Sequence, residues 1–179
     1  MKVLIAVNEF KGSLSSEEVG NSIRNIINKN YMNIDTSMEI VADGGDGFLD
    51  MFKNFEKKQF KTVNAALKET NVSYLENSNR KEAVIEVAEV IGIKQLSENE
   101  KNPYVTSTVG LGKLINHLLE KGIKNFIIGL GGSATNDCGI GMLSELGVNF
   151  QSESGEKCQN GINDLSKITK IEIDNINKK

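Results

Sequence analysis

Asn125-Phe126-Ile127-Ile128-Gly129-Leu130-Gly131-Gly132-Ser133-Ala134-Thr135-Asn136-Asp137 is the stretch that decides the fold class. An apolar run, a glycine-rich turn and the helical pattern of residues 138–146 follow one another as strand, loop and helix, the unit from which α/β folds are built. Such a turn presents unpaired backbone N–H groups at a helix start, where the helix dipole favours an anion. Gly131, Gly132 and Ser133 are therefore candidate phosphate contacts. Thr135, Asn136 and Asp137 add a hydroxyl, an amide and a carboxylate suited to a substrate hydroxyl or to Mg²⁺.

Two further segments have the same character. Residues 3–7 are an apolar strand followed by Asn8-Glu9-Phe10-Lys11-Gly12-Ser13-Leu14-Ser15, and residues 39–41 lead into Ala42-Asp43-Gly44-Gly45-Asp46-Gly47. Ligands of open α/β sheets bind outside the carboxyl ends of the strands, so three such loops are expected to share one site. Lys11, with Ser13 beside it, is the candidate contact for a phosphate or a substrate carboxylate. Asp43 and Asp46 flank Gly44 and Gly45, whose lack of a Cβ lets backbone come close to a ligand. Each feature also has a plainer explanation. Asp-Gly favours ordinary turns, Asn136 or Asp137 would cap a helix, and Gly110 and Gly112 serve equally for a ligand or for close helix packing.

The 179 residues suit one domain, or one and part of another, able to bury about 70% of the unfolded surface. With 39% hydrophobic and 25% charged residues the composition is that of a globular protein. A net charge of −3 argues against a general binder of nucleic acid or anionic membranes. No N-terminal secretory pattern and no run of ~18 apolar residues is present, and Cys138 and Cys158 read as free thiols, so a cytoplasmic location is expected.

The period of the apolar residues divides the chain into three parts. Residues 1–62 hold two βα units: a strand at 2–7 with a helix from Ser15, where Ser15 and Glu18 are spaced as a capping box, then a strand at 38–41 with a helix at 48–55. Residues 63–105 contain short, partly alternating runs and read as a β-rich insertion or the start of a second lobe. Residues 106–179 carry a helix at 108–121, the opening motif, and a strand-like ending. His117, the sole histidine, is expected on the polar side of its helix as a bystander. Its solitude argues against a histidine-rich metal site and against a Ser-His-Asp triad on Ser133.

In order along the chain, Phe10-Lys11-Gly12-Ser13-Leu14-Ser15, Val41-Ala42-Asp43-Gly44-Gly45-Asp46-Gly47, Ala83-Val84-Ile85-Glu86-Val87-Ala88, Lys101-Asn102-Pro103, residues 106–112 and residues 129–143 resemble bacterial glycerate kinases of the glycerate kinase type-1 family. The resemblance covers about 170 residues. It implies a Rossmann-like parallel sheet with a small β-rich inserted lobe, in a two-lobed architecture whose C-terminal half is missing here. It also implies ATP-dependent phosphorylation of D-glycerate, with Lys11, Asp43 and Asp137 as catalytic residues. Ser13, Gly44, Gly45, Gly131, Gly132, Ser133, Thr135 and Asn136 would bind substrate or phosphate, and Asp43, Asp46 and Asp137 would hold Mg²⁺.

Three local departures from the family pattern stand out. Glu9 sits where a small residue is usual, Ala65-Ala66-Leu67-Lys68 replaces a proline-leucine-glycine turn, and Cys138 replaces a glycine. The alternative expectation is a non-catalytic half that binds nucleotide or glycerate weakly, or needs a second copy or a separate C-terminal chain. A dinucleotide-dependent oxidoreductase is disfavoured, because residues 8–15 lack Gly-x-Gly-x-x-Gly after the first strand.

Overall fold

The computed structural model describes residues 1–8, 10, 13–159 and 161–176. Strand β1 (Lys2–Val7) leads to helix α1 (Ser16–Asn30) and back to β2 (Asp35–Ile40), which pairs parallel with β1. The expected capping box is present: Glu18 N–H donates to Ser15 Oγ at 3.3 Å, and Ser15 N–H donates to Glu18 Oε2 at 2.8 Å. The helix expected at 48–55 is only a single 3₁₀ turn, Phe48–Met51. Its aromatic stripe packs all the same, with Phe48, Phe52 and Phe55 edge to face and against Leu49, Leu75 and Val84.

The main sheet is mixed, in the order β3-β4-β5-β6. Strands β3 (Glu56–Val63), β4 (Glu69–Asn77) and β5 (Glu82–Glu86) are antiparallel neighbours, and β6 (Asn125–Gly129) lies parallel to β5. The parallel sheet expected from the βα pattern is thus two parallel pairs, β1–β2 and β5–β6, that are not hydrogen-bonded to each other. The pairing of β5 with β6 carries one sheet across residue 105, so the β-rich hairpins are continuous with the segment that bears the glycine motif.

Strand β5 is apolar on both faces, which is why it reads as a continuous run. Ala83 and Ile85 join the main core, and Val84 packs on the aromatic cluster of the opposite face. Over the first face lie α2 (Val87–Ile91), unanticipated as a helix, and α3 (Val109–Glu120), whose Leu111, Leu114, Ile115 and Leu118 are buried. His117 is half-buried and stacks on Phe60 with ring centroids 4.6 Å apart, which corrects the expectation of an exposed bystander. The helix end is tied to the sheet by Lys121, which pairs with the buried Glu76 of β4. Burial pushes Glu76 upward, but hydrogen bonds from Lys121, Ser78 and Tyr74 outweigh it and leave its carboxyl below the ordinary value.

Past the glycine motif come α4 (Ile140–Glu145), β7 (Asn149–Ser152), α5 (Gly161–Leu165) and β8 (Ile168–Glu172), with β7 and β8 antiparallel. Ile140, Val148, Phe150 and Cys158 form their small core. Among the described residues no helix is long and apolar enough to cross a membrane.

Gly110 and Gly112 resolve the choice left open by the sequence in favour of packing. A Cβ on Gly110 would stand 1.8 Å from the Val63 carbonyl oxygen, and one on Gly112 would stand 2.6 Å from that of Met142. In an ordinary helix interior Gly→Ala gains up to ~1 kcal/mol. Here the sign reverses: Gly110→Ala is expected to cost about 2–3 kcal/mol through overpacking against rigid backbone, read as a lowered urea midpoint.

Candidate active site

Two of the three expected loops meet, and they meet backbone to backbone. The turn after β2 packs on the start of the loop after β6: a Cβ on Gly44 would lie 2.8 Å from Leu130 N, and one on Gly131 would lie 2.6 Å from the Cα of Gly45. Gly129 is equally tight against the Gly44 carbonyl and the Phe48 ring. Gly44 has φ +93° and Gly47 has φ +81°, which completes the reason for glycine there. These glycines are consumed by loop-on-loop contact, a use the sequence pattern could not separate from close approach to a phosphate.

Above that contact stand the carboxylates. Asp43 is exposed and its Oδ1 accepts the Gly45 N–H at 3.0 Å, while Asp46 is half-buried and ion-paired with Lys94. Ser13 is exposed in a tight turn, with its N–H donating to the Phe10 carbonyl at 2.8 Å. Lys11, like Glu9, lies outside the described residues.

The loop of residues 130–139 does not run straight into a helix, as its sequence suggests. Gly132 and Ala134 instead pair with the segment after α2: Ile93 N–H donates to the Gly132 carbonyl at 2.8 Å and Ala134 N–H to the Ile91 carbonyl at 2.9 Å. Thr106 Oγ1 then holds the Ala134 carbonyl at 2.8 Å. Helix α4 starts only at Ile140 and has six residues, so Gly131, Gly132 and Ser133 are not at a helix N-terminus. With its backbone held from behind, the loop offers side chains. Ser133 Oγ and Thr135 Oγ1 are 3.1 Å apart, and with Asn136, Ala134, Ile93, Lys101 and Pro103 they line a pocket of about 220 Å³.

Asp137 is placed apart from Asp43 and Asp46 in role. It is 1% exposed, and its Oδ2 accepts Thr108 N–H and Thr108 Oγ1, both at 2.8 Å, together with Ser107 Oγ and Gly141 N–H. Its Oδ1 accepts Gly139 N–H at 3.0 Å. These contacts, four on Oδ2 and one on Oδ1, fasten the starts of α3 and α4 to the loop. Among the described residues no group of three or more His, Cys, Asp or Glu is arranged to hold a metal ion. A cation that keeps water or phosphate ligands needs only one or two carboxylates, and the two of this turn, Asp43 and Asp46, are the candidates.

Within the motif of residues 83–88 lies a titratable residue that the sequence pattern does not single out. Glu86 ends β5 opposite Gly129, is 4% exposed, and accepts the Leu49 N–H at 3.3 Å. Burial pushes its carboxyl up from 4.5 to about 7; the Leu49 hydrogen bond opposes that, and repulsion from Glu89 and Asp46 adds to it. The signal in the sequence was a lone acid at the end of an otherwise apolar strand. A wider depression, about 600 Å³ at the turns flanking β7 and β8, contains none of the candidate residues.

Compared with known proteins, residues 3–179 match the model of the glycerate kinase family. The chain is 35% identical to a glycerate kinase of Bacillus cereus over 176 residues, covering 97% of this chain and 46% of that protein. It is 33% identical to glycerate 2-kinase of Escherichia coli K12, again with 97% and 46% covered. A crystal structure of a Salmonella typhimurium LT2 protein assigned as a glycerate kinase 2 superposes with a TM-score of 0.82 at 30% identity, covering 99% of this chain and 49% of that one. The chain therefore spans about half the length of the curated relatives it matches.

Between pH 4.5 and about 7 folded Glu86 keeps a proton that the unfolded chain has lost, so stability falls as the pH rises through that window and levels off above it. Glu86→Gln removes this loss while keeping an acceptor for Leu49. The variant is expected to match the parent near pH 4.5 and to exceed it by ~2 kcal/mol at pH 8, measured by urea unfolding; parallel pH curves would contradict the assignment. Cys138, at φ +51°, occupies the left-handed region at the position where the family pattern has glycine. Cys138→Gly is expected to raise stability by about 1 kcal/mol, measured by calorimetry.

Proposed function

The chain belongs to the glycerate kinase family, and on that premise we propose that it supplies the N-terminal half of an ATP- and Mg²⁺-dependent kinase whose acceptor is a hydroxyl of D-glycerate. The observation that carries the proposal is the seating of the 42–47 turn on the 129–131 segment, at the carboxyl ends of β2 and β6. Phosphoryl transfer is mostly positioning and charge neutralisation, and rigid loops at strand ends supply the positioning.

Asp43 has one carboxylate oxygen fixed by the Gly45 N–H and orients the acceptor hydroxyl with the other. Mg²⁺, when bound, neutralises phosphate charge, and Asp43 and Asp46 are the residues that would hold it. Lys11 and Ser13 belong to the loop after β1 and meet the phosphates. Ser133, Thr135 and Asn136 bind the substrate, and Asp137 holds their loop in place. Two free thiols suit a reducing compartment, and we assign the kinase to the cytoplasm.

Exposed apolar surface supports the need for a second half. Strand β6 is an edge of the main sheet, with Ile127 and Ile128 each 38% exposed and Leu130 75% exposed. On β1 and α1, Leu4 and Ile26 are each 63% exposed. Edges and patches of this kind are usually covered by further chain, and a C-terminal half of the family architecture is the occupant proposed here.

The test is ADP release from ATP and Mg²⁺ with D-glycerate, using this chain alone and mixed with a separately expressed C-terminal half from a full-length relative. D-Glycerate-dependent release is expected from the mixture, and Asp43→Asn is expected to lower it by about 10²-fold or more. No release from a mixture in which both halves are folded and associated would overturn the proposal.

A further inference from the structure

The pocket between the loop of residues 132–136 and the segment around Lys101 to Pro103 has a composition that identifies one end of its ligand. Its polar groups are two hydroxyls, one amide and a single ammonium: Ser133, Thr135, Asn136 and Lys101. Its apolar groups are Ile93, Ala134 and Pro103. We propose that this pocket holds the carboxylate end of a small hydroxy acid, with Lys101 as counter-ion and Ser133, Thr135 and Asn136 as hydrogen-bond donors. The assignment rests on the kinase proposal for the identity of the acid, and on the pocket alone for its chemical class.

Size and charge select the class. At about 220 Å³ the pocket is smaller than the roughly 300–1,000 Å³ that drug-sized or nucleotide ligands occupy. A three- or four-carbon acid fits, its carbons against Ile93 and Pro103. One lysine balances one carboxylate and falls well short of a polyphosphate. Lys101 is paired with Glu98, which is 87% exposed on its side chain, three residues away in the same short turn. An exposed pair of that kind is weak and screened by solvent, so the ammonium is available to an incoming anion at little cost.

The rigidity of the wall favours recognition. The backbone groups behind Ser133 and Thr135 are committed, with Gly132 O, Ala134 N and Ala134 O bonded to Ile93, Ile91 and Thr106. The two hydroxyls stay 3.1 Å apart, a spacing at which they can donate to the two oxygens of one carboxylate. Nothing in the residue types alone made Lys101 a site residue; it stands three residues past the 3₁₀ turn onset at Glu98 and reaches the glycine loop only through the fold.

The experiment is an ¹⁵N-amide NMR titration of the 179-residue chain with D-glycerate, L-lactate, glycerol, inorganic phosphate and Mg·ATP in turn. Glycerate and lactate are expected to shift the amides of residues 133–136 and of Lys101, with glycerol inert. Lys101→Gln, at a surface position, is expected to keep the dispersed spectrum and weaken glycerate at least tenfold, whereas Glu98→Gln binds as well or better. Equal shifts with glycerol, unchanged affinity in Lys101→Gln, or shifts of these amides by phosphate or Mg·ATP but not by glycerate would overturn the assignment. If carboxylate binding holds and the two-half mixture shows no turnover, the kinase proposal fails and the pocket stands. If turnover occurs with the same KM for glycerate in Lys101→Gln, the pocket fails and the kinase stands.

Discussion

A single buried carboxylate holds the site together. Asp137 is 1% exposed, yet it makes no ion pair among the described contacts; its charge is met by N–H donors of Thr108, Gly139 and Gly141 and by the hydroxyls of Ser107 and Thr108. A buried anion without donors is prohibitively costly, and one with five is a strong local constraint, because losing any partner leaves charge exposed to a low-dielectric interior. Through it the start of α3, the start of α4 and the end of the glycine loop are fixed relative to one another.

That knot explains the rest of the arrangement. Ser107 and Thr106 are both fully buried, and each reaches a different strand of chain: Ser107 Oγ lies 3.2 Å from the Gln159 carbonyl and 3.4 Å from Asp137 Oδ2, with one proton to share between them, and Thr106 Oγ1 donates to the Ala134 carbonyl. Helix α3, so anchored, can lie against β3 and α4 only because Gly110 and Gly112 remove the side chains that would collide. The loop of residues 130–136 is then stretched between β6 and the knot and presses its glycines onto the turn of residues 43–47. Asp43 and Asp46 are brought to the mouth of that contact, and Ser133, Thr135 and Asn136 to the pocket beside it. Positioning by hydrogen-bonded backbone is well suited to a reaction that needs aligned groups more than reactive ones.

How far the sequence could be read depended on whether a feature was local. The capping box at Ser15 and Glu18, the strand that enters the glycine motif and the helix over residues 109–120 follow from periodicity and short-range hydrogen bonds, and they are found within a residue or two. Residues 48–55 failed as a helix because their aromatic stripe is satisfied by packing on Leu75 and Val84, which a 3₁₀ turn and an irregular chain accomplish equally well. The glycine loop was expected to enter a helix directly; its carbonyls and amides were instead taken by residues 91 and 93, some forty positions earlier in the chain. Glu86 looked like one polar residue in an apolar run, and only its burial opposite Gly129 and near Asp46 gives its proton affinity.

The amino-acid order by itself determined the α/β class, the family, the loops that face the sheet ends and the residues that populate them, because each of these is written in spacings of a few residues. Tertiary structure alone decided which glycines serve backbone contact, that the Asp137 carboxyl is buried under hydrogen bonds and that of Asp43 exposed, that His117 stacks on Phe60, and that Lys101 joins the glycine loop. The physical reason is the same in every case. Burial, desolvation and close approach depend on neighbours distant in sequence, and a residue type carries no record of which neighbour the fold will bring to it.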